Sequence, residues 1–191
     1  MNLLGHLYLS QNESAESRLY NLLGDRYKGN SFEQLSSEAQ KGVRMHRFID
    51  NFMDQHGAVK SLKANISNSL PKVSGIALDV FFDYLLASEW QRFHRNELDL
   101  FLNSFFESIQ GPIEKVPIEH ALWINGLNEN RYIHQYKQFE SVVAISEHLH
   151  RKLKFKTEIY RSPIIFSTFE SEIRDVFEEY IKDARENFGI S

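Results

Sequence analysis

A histidine and three carboxylates recur at i, i+4 spacing in two short segments, Met45-His46-Arg47-Phe48-Ile49-Asp50 and Leu78-Asp79-Val80-Phe81-Phe82-Asp83. On a helix that spacing stacks each pair on one face, one turn apart. Between Gly75 and Ser88 the only formal charges are Asp79 and Asp83, and the residues around them are apolar on nearly every side. Such a helix belongs in a core. Two ionised carboxylates carried into a core cost several kcal/mol each, so they call for a cation, a dense set of donors or a raised pKa. A bound metal ion is the most economical of these. With His6, Asn21, Asp25, His46, Arg47, Asp50, Asp79 and Asp83 as candidates, the chemistry on offer is metal-assisted hydrolysis of a phosphoester. The metal would activate water and polarise a phosphoryl oxygen, and the planar fork of Arg47 would take up phosphate charge.

Composition narrows the choice of metal. The 191 residues contain no cysteine, which removes disulfides, thiolate sites and cysteine nucleophiles. Histidine and carboxylate donors suit Mn²⁺ or Mg²⁺, with Fe²⁺ or Zn²⁺ less favoured. The 42% hydrophobic and 25% charged residues are those of an ordinary globular chain of one domain, 1–191. No run approaches the roughly 18 apolar residues of a membrane span, and the first residues carry no basic leader, so a cytoplasmic protein is expected. The net charge of −4 argues against broad nucleic-acid binding while leaving room for local basic patches.

The elements that must position these groups are helical almost throughout. Ser14 is placed to cap a helix carrying Leu19, Leu22 and Leu23 and ending near Gly29. After a turn at Gly29-Asn30-Ser31, a second helix runs to about Gly57 with Met45, Ile49, Phe52 and Met53 as its stripe. Pro71 and Gly75 precede the apolar helix, which continues to about Trp90. A helix from about Ile118, with Asn125 to Asn130 as an interruption, leads to another ending near Lys152. Ser167-x-x-Glu170 has the pattern of a capping box. Beyond it Phe169, Ile173, Val176, Phe177, Tyr180, Ile181, Ala184 and Phe188 share one 3.6-period face. The pattern predicts an all-α, single-domain bundle.

Each candidate has a plainer reading. His46 and Asp50 form an i, i+4 pair of a common surface type. Asp79 and Asp83 would also be met by a buried salt bridge to another helix. Asp25 would serve simply to end a helix, and His6 as a hydrogen-bonded core histidine. The basic run His150-Arg151-Lys152-Leu153-Lys154-Phe155-Lys156 is too short to specify nucleic acid, and most such runs are solvated helix ends.

Taken in order, four blocks resemble the acyl carrier protein phosphodiesterases. They are Met1 to Leu7, Asn21-Leu22-Leu23-Gly24-Asp25 with Gly29, Met45-His46-Arg47-x-Ile49-Asp50, and Leu78-Asp79-x-x-x-Asp83 with Trp90. The likeness continues more weakly through Leu122-Trp123, Tyr136 and Arg151. The resemblance implies an all-helical enzyme similar to HD-type metal-dependent phosphohydrolases, which removes 4'-phosphopantetheine from holo acyl carrier protein with manganese favoured. It implies a metal centre of Asp25, His46, Asp50 and Asp79, with Asp83 and Arg47 beside it as catalytic groups, and His6 and Asn21 toward the substrate. The adjacent His-Asp doublet of HD-type enzymes is absent, and Gly24 and Phe48 stand where Ala and Arg are usual. Because the carrier is acidic, a basic surface must receive it, for which Arg26, Lys28, Lys41, Arg44 and the stretch containing Arg151 and Lys154 are available.

Overall fold

The computed structural model describes residues 2–190, and among these there is no strand. Its helices are α1 (Leu3–Leu9), α2 (Ala15–Leu22), α3 (Ser37–Gln55), α4 (Gly57–Ser67), α5 (Ser74–Ser88), α6 (Leu98–Ser108), α7 (Gln110–Ile113), α8 (Ile118–Glu129), α9 (Glu140–Lys152), α10 (Ser162–Thr168) and α11 (Glu170–Asn187). None of them is long and apolar enough to cross a membrane. The all-α expectation holds, and the buried hydrophobic side chains form one contiguous cluster.

The apolar helix takes the central place its sequence demands. Leu78, Phe81, Phe82, Leu85 and Leu86 on α5 are fully buried, and α5 packs against α1, α4, α9, α11 and the turn at Ile133–Lys137. Phe82 meets Phe177 and Tyr180 of α11 in edge and tilted ring contacts. The amphipathic face of α11 is thereby used as its periodicity predicts.

α2 and α3 make the most intimate pair. A Cβ on Gly42 would lie 2.2 Å from the Ser17 carbonyl oxygen, so only glycine permits this approach. The two helix starts are also cross-linked. Ser14 caps α2 by accepting from Ser17 N–H, Ser36 caps α3 by accepting from Ala39 N–H, and each hydroxyl donates to the first-turn glutamate of the other helix, Glu38 and Glu16. These caps fix the helices that present Asn21 and His46.

Three local expectations are corrected. α3 begins at Ser37 rather than directly after Ser31, because Ser36 supplies the cap and the preceding residues form a succession of turns. α8 runs unbroken through Asn125, and the chain turns only at Asn130-Arg131, where Arg131 adopts φ 48°. The Ser167-x-x-Glu170 box is not formed: Ser167 lies inside α10 and donates to the Pro163 carbonyl, and Phe169 precedes α11 without a side-chain cap. A separate short helix had formed where one start was expected.

Candidate metal centre and cavity

α1, α2 and α3 bring His6, Asn21, His46 and Asp50 to one point, and the short 3-10 turn Gly24–Arg26 adds Asp25 at its edge. The imidazoles of His6 and His46 are stacked, 4.1 Å apart and 16° from parallel. His46 can lie there because residue 24 is glycine: an added Cβ would fall 2.1 Å from His46 Cγ. Gly24 is therefore tied to the position of the ring.

The tautomer of His6 follows from its neighbours. Asn21 Nδ2 donates to the His6 carbonyl at 2.9 Å, which turns its amide oxygen toward His6 Nδ1 at 3.1 Å. Nδ1 must then carry the proton. Burial disfavours the charged ring and, with His46 beside it, outweighs the pull of Asp50, so the His6 pKa is lowered. With Nδ1 turned to Asn21, the Nε2 edge of His6 faces Asp50 Oδ1, 3.1 Å away. A proton between the two atoms, or a cation beside them, satisfies that approach.

His46 presents the same need. Its Nε2 lies 3.2 Å from Asp50 Oδ2 and 3.7 Å from Asp25 Oδ1, yet neither ring nitrogen is aligned for a hydrogen bond. Ligand atoms of His6, His46 and Asp50 all lie within 4.8 Å of one another. Two imidazole nitrogens and a carboxylate, with an orphaned buried nitrogen among them, form a donor set that fits a divalent ion of borderline hardness. Burial alone would raise the Asp50 carboxyl, but the two histidines prevail and leave it lowered. His46 also draws Asp25 below the usual carboxylate range, although at 83% exposure water screens much of that pull.

The centre opens into a cavity of about 880 Å³. Asp25, Asp50 and Asp79 line it on the polar side, Trp123, Leu127, Tyr136, Ile145 and Leu149 on the apolar side, and Arg26, Lys63 and Lys152 are its cations. Asp79 is half-buried and faces this space, as a ligand or a neighbour of ligands must.

The remaining expected site residues are placed elsewhere. Asp83, one turn on from Asp79, is fully buried and accepts from the backbone N–H groups of Leu4 and Gly5 at 2.8 and 2.9 Å. It anchors the start of α1, and so the position of His6, rather than facing the cavity. Burial, aided by the charge of Asp79, pushes its pKa up to about 7 against the opposing effect of those donors. Arg47 donates to the carbonyls of Tyr27 and Gly29 and stacks on Phe32. Its guanidinium holds the loop after Asp25 and is not on the cavity wall. Asn21 orients His6 instead of meeting substrate, and His6 joins the donor set. Arg151 is exposed beside Glu147 at 3.9 Å, and Lys154 is exposed. Lys152 is the member of that run on the cavity wall. Sequence reasoning missed Lys63 and the α9 face of Ala144, Ile145, His148, Leu149 and Lys152. The 3- and 4-residue spacing of that face was the available signal, but it reads equally as core.

Residues 1–184 match the model of a family described as acyl carrier protein phosphodiesterase. The chain is similar to proteins of that name from Photorhabdus laumondii, 37% identical over 92 residues, covering 48% of this chain and 46% of the relative. Similar proteins from Pectobacterium atrosepticum and Serratia proteamaculans are 34% and 36% identical over 114 residues, covering 60% and 59% of this chain and 57% and 56% of theirs. The chain thus spans about half the length of the curated relatives it matches. No solved structure matches it.

Proposed function

We propose that the chain, which belongs to the acyl carrier protein phosphodiesterase family, hydrolyses the phosphodiester joining 4'-phosphopantetheine to a serine of holo acyl carrier protein. The products are the apo carrier and free 4'-phosphopantetheine. One observation carries the reading: His6 Nε2 and Asp50 Oδ1 converge beside an unbonded His46 nitrogen, on the wall of a cavity of mixed polar and apolar lining. His6, His46 and Asp50 would hold the metal, with Asp25 and Asp79 completing or flanking the set. Mn²⁺ is the favoured ion, with Mg²⁺ or Fe²⁺ as alternatives. Bound there, it supplies a Lewis acid for the phosphoryl oxygen and acidifies a water.

The chain's own residues do the rest. Asn21 engages His6 Nδ1 as a donor, which leaves Nε2 as the ring atom turned toward Asp50 and the metal. Asp83 holds α1 and therefore the reach of His6. The apolar wall of Trp123, Leu127, Tyr136 and Leu149 packs the aliphatic part of the arm and excludes water from it. The acidic carrier docks outside, on the basic end of α9, where Arg151 and Lys154 are exposed next to Lys152. Those charges steer encounter rather than chemistry.

The test is mass spectrometry of holo carrier after incubation with the purified chain and Mn²⁺. The expected result is loss of the phosphopantetheine arm, abolished by a chelator and restored by Mn²⁺. A carrier left intact while a small aryl phosphodiester is hydrolysed would instead support a phosphohydrolase of small phosphoesters. Failure on both would leave a helical module whose buried charges are structural.

A further inference from the structure

With Arg47 engaged by two carbonyls, a different arginine is available to phosphate. Arg26 follows Asp25 on the 3-10 turn and lines the same cavity. Its guanidinium lies 4.6 Å from the centroid of the Trp123 ring, which belongs to α8 and also lines the cavity. A guanidinium laid on an indole is held by its face, and its N–H groups stay free at the edge. Among the described residues no oxygen accepts from the Arg26 side chain, whereas Arg92, Arg131 and Arg174 are each spent on carboxylates. Lys63, another cation of the cavity, is 3.2 Å from Asp54.

Charge balance favours such a group. Asp25, Asp50, Asp54 and Asp79 all line the cavity, and Lys63 is paired with Asp54, so an entering phosphoester meets a wall rich in carboxylates. The metal centre offsets some of that repulsion, and a free cation beside Asp25 offsets more.

We infer that Arg26, oriented by Trp123, is a phosphate-binding residue at the mouth of the cavity and takes the non-bridging oxygens of a phosphoester bound at the metal centre. The inference rests on the phosphodiesterase reading above. Trp123 is then a positioning residue: it acts on the phosphate only through the guanidinium it supports. Two edge N–H groups suit two phosphate oxygens, which a lysine in the same place would not match.

Two measurements decide it. KM and kcat are compared for bis(4-nitrophenyl) phosphate with Mn²⁺ present, and 4'-phosphopantetheine binding is measured calorimetrically with Mg²⁺ present, so that one readout needs no turnover. Arg26→Gln should raise KM and weaken 4'-phosphopantetheine binding, each about tenfold, as expected for loss of a charge-assisted hydrogen bond. Arg26→Lys should recover part of both. Trp123→Leu should move KM in the same direction by about threefold with kcat nearly unchanged, a split that general loosening of the fold would not give. Arg92→Gln, on a guanidinium paired with Glu178 and outside the cavity, should match wild type. Wild-type affinity for 4'-phosphopantetheine in Arg26→Gln would overturn the assignment. If the wild-type chain leaves holo carrier intact while Arg26→Gln still weakens 4'-phosphopantetheine binding, the phosphate site stands and the carrier reading fails.

Discussion

Asp79 and Asp83 sit one turn apart on α5 and do opposite jobs. Asp79 faces a solvent-filled cavity near two histidines and two further carboxylates, whereas Asp83 is sealed in the core against two backbone N–H groups. A carboxylate among histidines is held low, as Asp50 is; one stripped of water is pushed up, as Asp83 is. The same residue type on the same helix face thus lines a cavity or anchors a helix according to what packs above it. The lesson is that i, i+4 spacing assigns a shared face of a helix and not a shared environment.

The sharpest way to break this contrast is to remove one carboxylate from each side. Asp50→Ala deletes the group that both histidines approach. Activity should fall by about a thousandfold or more, roughly the loss of one essential electrostatic group, and Mn²⁺ affinity should fall with it. The urea midpoint of the metal-free protein should fall less than that of Asp83→Ala. Asp83→Ala should do the reverse in order of size, costing about 2 kcal/mol at pH 6 by orphaning the Leu4 and Gly5 N–H groups, with activity lost only as α1 shifts. Equal urea midpoints for the two variants would erase the distinction.

A smaller effect separates the two by pH. The folded-state pKa of Asp83 is raised to about 7, above the roughly 3.9 of an unfolded chain. The folded protein therefore binds more protons between those values. This contribution to stability is full below about pH 4 and is lost as pH rises toward about 7. For Asp50 the sign is opposite: its folded pKa is depressed, so its contribution is present above about pH 4 and is lost as pH falls below that. Urea unfolding as a function of pH should show a decline from about pH 4 to 7 that Asp83→Asn removes and Asp50→Asn leaves in place. Asp79→Ala should abolish activity with little loss of metal-free stability, and should draw the upper edge of that decline downward by removing the like charge that helps raise Asp83. A large stability loss in Asp79→Ala would mean that it, too, is a structural carboxylate.

The smallest expected change tests how finely the metal side is set. Gly24→Ala places a Cβ where the His46 ring now lies. The ring should swing away from His6, weakening Mn²⁺ affinity about tenfold while the urea midpoint changes little. Unchanged affinity would show that the two imidazoles need not be stacked to act together.

The residues alone determined a good deal of this molecule. Helical periodicity sufficed for the all-α class, for α5 as the buried helix and for the buried face of α11, because those signals are local and repeat every turn. Donor types without cysteine restricted any metal to histidine and carboxylate, and the ordered motifs pointed to the family. Tertiary structure alone decided which donors share a point. His6 joins His46 and Asp50 only because Asn21 grips it by both carbonyl and ring, a contact 15 residues apart in sequence. Asp83 left the site because its carboxylate reaches the start of α1, 79 residues away. Arg47 left it because two carbonyls of the loop after Asp25 lie within its reach, and Arg26 entered the cavity because Trp123 of α8 stands beneath it. In each case the deciding partner lies on a different element, and a one-dimensional spacing carries no information about which distant group will satisfy a buried charge or donor.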